Sequence, residues 1–385
     1  MNIPVEFADI RPFEPEELPQ VYERLLADEQ FRTVLAHIMP DVPFEKLSET
    51  IRSCSNNLEF QLRLCYGFLK NLVKKCTDGL TADASALDKS GRYTFISNHR
   101  DIIIDPSFLS VSLIDAGFDT TCEVAIGDNL LALPWVKDLV RVNKSFIVKR
   151  GLSPRETLRA SKVMSDYMHF VMETKHDNIW IAQREGRAKD SDDRTQPAIL
   201  KMIALGGDRG SVIEKLLQMH IVPLAISYEF DPCDFLKAKE FQQKRDIEGW
   251  KKSAGDDIVS MQTGVMGYKG HVHYHFAPCI DDWLRTLDPE MPKTELFDAV
   301  AEHIDREIHR NYQLYPSNFI ALDMLRGEQA NADKYTAEEK AMFERYLAGR
   351  IAMVDLPNAD EAFLRERILT MYANPAVNHA KATTV

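Results

Sequence analysis

Residues 93–110 read YTFISNHRDIIIDPSFLS, and the parsing of this stretch decides the fold. Tyr93 to Ser97 is a short run of β-forming, mostly apolar residues, and polar residues follow at once. His99 therefore falls at the C-terminal end of a predicted strand, with Asp101 two residues on and Asp105 six residues on. Similar apolar runs recur further along: TTCEVAIG (120–127), SFIVK (145–149), NIWIAQ (178–183), IVPLAIS (221–227) and HVHYHF (271–276). Helical stretches separate them. One is announced by Ser153-Pro154-Arg155-Glu156, an N-cap, a first-turn proline and a capping-box acid in order, opening a helix to about Lys175. Strands alternating with helices predict an α/β fold, a mostly parallel sheet flanked by helices.

Upstream the periodicity is helical. Leu18, Val21, Leu25 and Leu26 share one stripe. Leu47, Ile51, Cys54, Leu58, Leu62, Cys65, Leu69, Leu72, Val73 and Cys76 give a longer one, closed by Gly79. The polar TDGLTADASALDKSGR (77–92) reads as a linker. Downstream of about Leu284 the pattern is helical again, and ANPAVNHAKATTV (373–385) reads as a frayed tail. The expected division is an N-terminal helical domain over 1–80, an α/β domain over 88–315, and a C-terminal helical extension and tail over 316–385.

The chain of 385 residues carries 45% hydrophobic and 28% charged residues, enough for a sizeable core. Its net charge of -12 argues against a nucleic-acid partner, which would require a cationic surplus. No apolar run is long enough to span a bilayer, and the acidic N-terminus lacks a signal-peptide layout. The six cysteines form no CxxC, so free thiols and a reducing, cytoplasmic setting are expected. His271, His273 and His275 alternate along one strand face, too spread out to hold a single ion, and no metal is expected.

His99-Arg100-Asp101 also suggests a protein-kinase catalytic loop. That loop needs Asn five residues after its Asp, and Pro106 stands there. No GxSxG nucleophile elbow exists either. A base backed by a carboxylate remains. Imidazole, with an ordinary pKa near 6.5, suits removal of a hydroxyl proton, and an acid behind it fixes the tautomer. The plainer alternative is a histidine that only caps a helix beginning near Asp101. Charge adds a second signal. Arg141, Lys144, Lys149, Arg150, Arg155, Arg159 and Lys162 cluster against a single acid, Glu156. Lys149 and Arg150, at a strand end, suit an anion best; Arg155, Arg159 and Lys162 read as a solvated helix face.

Four blocks in order, SNHRDIIIDP (97–106), GDNLLALPWVKDLVRVNKSFIVKR (127–150), NIWIAQREGRAKD (178–190) and HIVPLAISYE (220–229), resemble those of the glycerolipid acyltransferase family. The likeness extends most to the soluble, chloroplast-type glycerol-3-phosphate acyltransferases. It implies transfer of a fatty acyl group from acyl-CoA or acyl carrier protein to a hydroxyl of glycerol 3-phosphate, with no cofactor beyond that co-substrate. His99 would be the general base and Asp105 its orienting acid. The chain departs from the family in placing five residues rather than four between them, which keeps Asp101 open as the alternative. Arg187, Lys189, Lys149 and Arg150 would hold the acceptor phosphate, and Glu185 and Gly186 would shape that pocket. Neighbouring readings are a lysophosphatidate acyltransferase, an O-acyltransferase for an amino lipid, and a non-catalytic lipid- or acyl-carrier-binding protein. The basic-aromatic DFLKAKEFQQKRDIEGWKK (234–252) allows peripheral contact with a membrane surface, such as the inner membrane face.

Overall fold

The computed structural model describes residues 3–207 and 210–384. Seven strands form one sheet: β1 (Gly79–Asp83), β2 (Thr94–Ser97), β3 (Cys122–Gly127), β4 (Ser145–Val148), β5 (Asn178–Ala182), β6 (Ile221–Tyr228) and β7 (His271–Phe276). Their order is β1-β7-β6-β2-β5-β3-β4. From β6 to β4 every pairing is parallel; β7 runs antiparallel to β6, and β1 pairs parallel to β7. The fold is α/β, a mostly parallel sheet flanked by helices, as the alternating pattern predicts.

All eight residues of β6 are buried, and their parity divides two cores. Ile221 and Ala225 join Phe146, Tyr167, Met168, Val300 and Ile304 on one face. Val222, Leu224, Ile226 and Tyr228 join Phe95, Phe108, Leu109 and Tyr274 on the other. Alternation with both sides apolar is what a strand covered by helices on each face requires. Full burial of each large apolar side chain stabilises the fold by roughly 1.5–3 kcal/mol. The second face is roofed by the helix Ile104–Asp115, which carries Asp105 in its first turn.

Three expectations are corrected. The stretch read as a linker contains β1, because His271–His275 of β7 offer an edge onto which Gly79–Asp83 pairs. The long cysteine stripe is no single helix: Phe44–Arg52 ends before Cys54, and a second run with a π-helical turn at Gln61–Cys65 continues to Cys76. The supposed frayed tail belongs to a terminal helix, Glu361–Thr383, that includes Pro375. Tertiary bonds override the local Asn-Pro signal there. Asn374 donates to Asp190 O at 2.8 Å and Asn378 to Asp192 Oδ1 at 3.1 Å. The basic-aromatic segment forms the helix Asp234–Asp246, tied to the C-terminal helices by Arg350 on Asp234 at 2.5 Å and Arg245 on Asp360 at 2.8 Å. No helix among the described residues is long and apolar enough to cross a membrane, and all six cysteines are free.

Candidate active site

β2 is the central strand, and the chain leaves its C-terminal end through Asn98 and His99. Asn98 acts as an extra rung: its side chain donates to Ile226 O and accepts from Ile226 N, both at 2.8 Å. The turn carrying His99 is thereby clamped to β6. On the other side Trp180 of β5 meets the imidazole edge-on at 5.5 Å and donates its Nε1 hydrogen to Ser97 Oγ at 3.0 Å.

His99 Nδ1 lies 2.8 Å from Asp105 Oδ2. That oxygen also accepts from Arg100 N at 2.6 Å and Asp101 N at 3.0 Å, and Asp105 Oδ1 accepts from the Tyr228 hydroxyl at 2.8 Å. An acceptor ringed by donors is an ionised carboxylate, so the proton between ring and acid belongs on Nδ1, and in the neutral ring Nε2 is then the nitrogen with the free lone pair. The five-residue spacing is absorbed by the turn 99–103, which places Asp105 on the helix and beneath the ring. Asp101 has a different task. Its Oδ1 accepts from Ile103 N at 2.9 Å and Ile104 N at 2.8 Å, capping the Ile104–Asp115 helix. Burial and, next, the Asp105 charge push the Asp101 carboxyl up, while the helix N–H groups and Arg187 pull it down. Asp101 also packs against Gly264 of the helix Ala254–Met266, where a Cβ would come within 1.7 Å of its carboxylate.

Arg187 follows β5 on a loop held from several sides. Gln183 N donates to Ser97 O at 2.8 Å, Arg100 pairs with Asp193 at 2.7 Å, and Tyr312 donates to Asp193 at 2.5 Å. Gly186 takes φ +69°, a turn open only to glycine without strain. The loop buries Arg187, whose Nη1 has no hydrogen-bond partner among the described residues; Arg184 Nε is likewise buried and unpartnered among them. The sequence signal for Arg184 is QREGR (183–187), in which two arginines flank Glu-Gly.

The other expected anion ligands are engaged in ion pairs. Lys189 bonds Glu240 at 3.0 Å; burial pushes its ammonium pKa down and Glu240 pulls it up. Arg150 pairs with Glu185 at 2.9 Å, which turns that acid outward, its side chain 68% exposed. Lys149 points to Asp9, 3.9 Å away. β4 stands three strands from β2, roughly 14 Å across the sheet, so Lys149 is not brought to His99. Among the described residues, two groups of ligand-type atoms within 4.8 Å lie off this centre, His220 with Cys279 and Asp281, and Asp78 with Glu229 and His271.

Residues 81–227 match the Acyltransferase family model. The matched segment holds the His99–Asp105 pair and both unpartnered arginines, and it supports acyl transfer as the class of reaction. Tyr228 and the C-terminal helices lie beyond it. No curated protein matches the sequence. Among solved structures, the 1-acyl-sn-glycerophosphate (LPA) acyltransferase PlsC from Thermotoga maritima is 9% identical, over 75% of this chain and 93% of that one, with a TM-score of 0.35. Such a likeness is too loose to support either fold or activity.

Proposed function

We propose that the protein moves a fatty acyl group from a thioester, acyl-CoA or acyl carrier protein, to a hydroxyl of glycerol 3-phosphate. His99 Nε2 takes the hydroxyl proton as the oxygen attacks the thioester carbonyl. A tetrahedral intermediate forms, the C–S bond breaks, and the imidazolium returns its proton to the departing thiolate. The donor is already activated, so the step needs no enzyme nucleophile and no acyl-enzyme. Asp105 holds the tautomer and stabilises the imidazolium as it forms. Arg187 and Arg184 hold the acceptor phosphate, Gly186 gives the loop its turn, and Arg150 with Glu185 and Lys189 with Glu240 shape the rim.

The observation that carries this reading is the pair of buried guanidinium edges without partners among the described residues, on the loop that follows β5, together with a histidine at the end of the adjacent strand whose Nδ1 is committed to a carboxylate. A buried donor left unbonded costs about 1–3 kcal/mol, more when charged, so such edges favour an anionic ligand. The test is a screen of acyl-CoA and acyl carrier protein donors against glycerol 3-phosphate, lysophosphatidate, glycerol and hydroxylated amino lipids, with products identified by mass spectrometry. A monoacylated glycerol phosphate is expected. Product from unphosphorylated glycerol at an equal rate would remove the anion site, and no product with any donor would leave a binding protein.

A further inference from the structure

Tyr228 is the last residue of β6 and lies one position past the segment that matches the family. Parity places it on the face roofed by the Ile104–Asp115 helix, and the Asn98 clamp on Ile226 fixes its distance from the His99 turn. The side chain is buried, and its hydroxyl donates to Asp105 Oδ1 at 2.8 Å. Tyr274 of β7 reaches the same residue differently: its hydroxyl donates to the main-chain oxygen of Asp105 at 2.9 Å. One tyrosine therefore bonds the carboxylate of Asp105 and the other its main-chain oxygen.

Resting on the reading of His99 as base, we infer that Tyr228 is a positioning residue that sets the protonation of the His99–Asp105 pair. Its hydrogen bond draws off part of the charge that Asp105 would otherwise direct at the imidazole. Without the hydroxyl, the state with a charged carboxylate and a neutral ring loses more than the state with an added proton. The pair then holds that proton to higher pH, and fewer molecules carry a free Nε2 lone pair at neutrality. Tyr228 also anchors the otherwise free oxygen of Asp105, so the carboxylate cannot rotate away from Nδ1.

The experiment compares kcat/KM against pH for wild type, Tyr228→Phe, Tyr274→Phe and His99→Ala, with thermal melts on each. Tyr228→Phe should move the acid limb upward by about half a unit to one unit and lower kcat, with little change in KM for the acceptor. Tyr274→Phe should be destabilised to a comparable degree and move the limb less than Tyr228→Phe does. A role confined to packing would move neither limb, and superposable wild-type and Tyr228→Phe profiles overturn the inference. If Tyr228→Phe does not fold, 3-fluorotyrosine at position 228, a stronger donor, should move the limb downward; an unmoved limb overturns the inference equally. Wild-type activity in His99→Ala would instead overturn the base assignment beneath it, so the two failures are distinguishable.

Discussion

Asp105 and Asp101 are the same residue type four positions apart, yet their surroundings assign them different work. Asp105 accepts two backbone N–H groups, a tyrosine hydroxyl and the His99 ring, whereas Asp101 spends one oxygen on the first turn of a helix. Asp105→Ala should therefore lower kcat/KM by roughly 10²–10⁴. Asp101→Ala should cost about 1 kcal/mol of stability through the lost cap and impair turnover far less. Kinetics and denaturant midpoints on both variants check this, and equal kinetic losses would contradict it. Arg187 gives the complementary prediction. Arg187→Ala should raise KM for a phosphorylated acceptor by about 10–100-fold, as loss of a charge-assisted bond implies, and leave KM for the thioester near wild type. Losses shared equally between acceptor and donor would contradict an anion site.

At the scale of elements, six of the seven strands are legible as short runs rich in apolar residues, because burial on both faces, or on alternate residues in β7, forces that composition. β1 is not. Gly79-Leu80-Thr81-Ala82-Asp83 lacks β-branched and aromatic weight, and its place in the sheet is granted by β7, nearly two hundred residues away. The terminal helix hides for a related reason, since Asn374, Asn378 and His379 bond to Asp190, Asp192 and His309, and no local rule reports such partners. That helix braces the far side of the loop carrying Arg187. Asn374→Ala combined with Asn378→Ala should raise the acceptor KM several-fold while a thermal melt falls only modestly, because the loop would lose two half-buried anchors worth about 1 kcal/mol each. An unchanged acceptor KM would show that the loop holds its shape alone.

Across the whole molecule, the proposed catalytic pair is readable because histidine and acid are close in sequence, while the residues packed around it are not. Arg100 with Asp193, Tyr228 with Asp105, and Tyr312 with Asp193 join positions about a hundred residues apart. The fold also carries a pH response unrelated to catalysis. His303, stacked on Trp283 at 3.8 Å, is pushed down to about 4 by burial and, next, by Arg306 and Arg310. Burial also lowers His169 and His309. Below pH 6.5 the unfolded chain takes up protons that these folded imidazoles refuse, so stability falls as pH drops from about 6.5 toward 4. Asp305, raised to about 6 by burial, acts in the opposite sense between pH 6 and 3.8, which softens the fall. The melting temperature of wild type should decline across this window, and His303→Phe, which keeps the stack, should decline less. Parallel curves would contradict the assignment to His303.

Thiol release from an acyl thioester, followed with and without glycerol 3-phosphate in wild type and His99→Ala, bears most directly on the chemistry. Release in wild type should depend on the acceptor and should fall by roughly 10²–10⁴ in His99→Ala while the fold, checked by melting, persists. Release that ignores the acceptor, or that survives in His99→Ala at the wild-type rate, would contradict a histidine base acting on a phosphorylated alcohol.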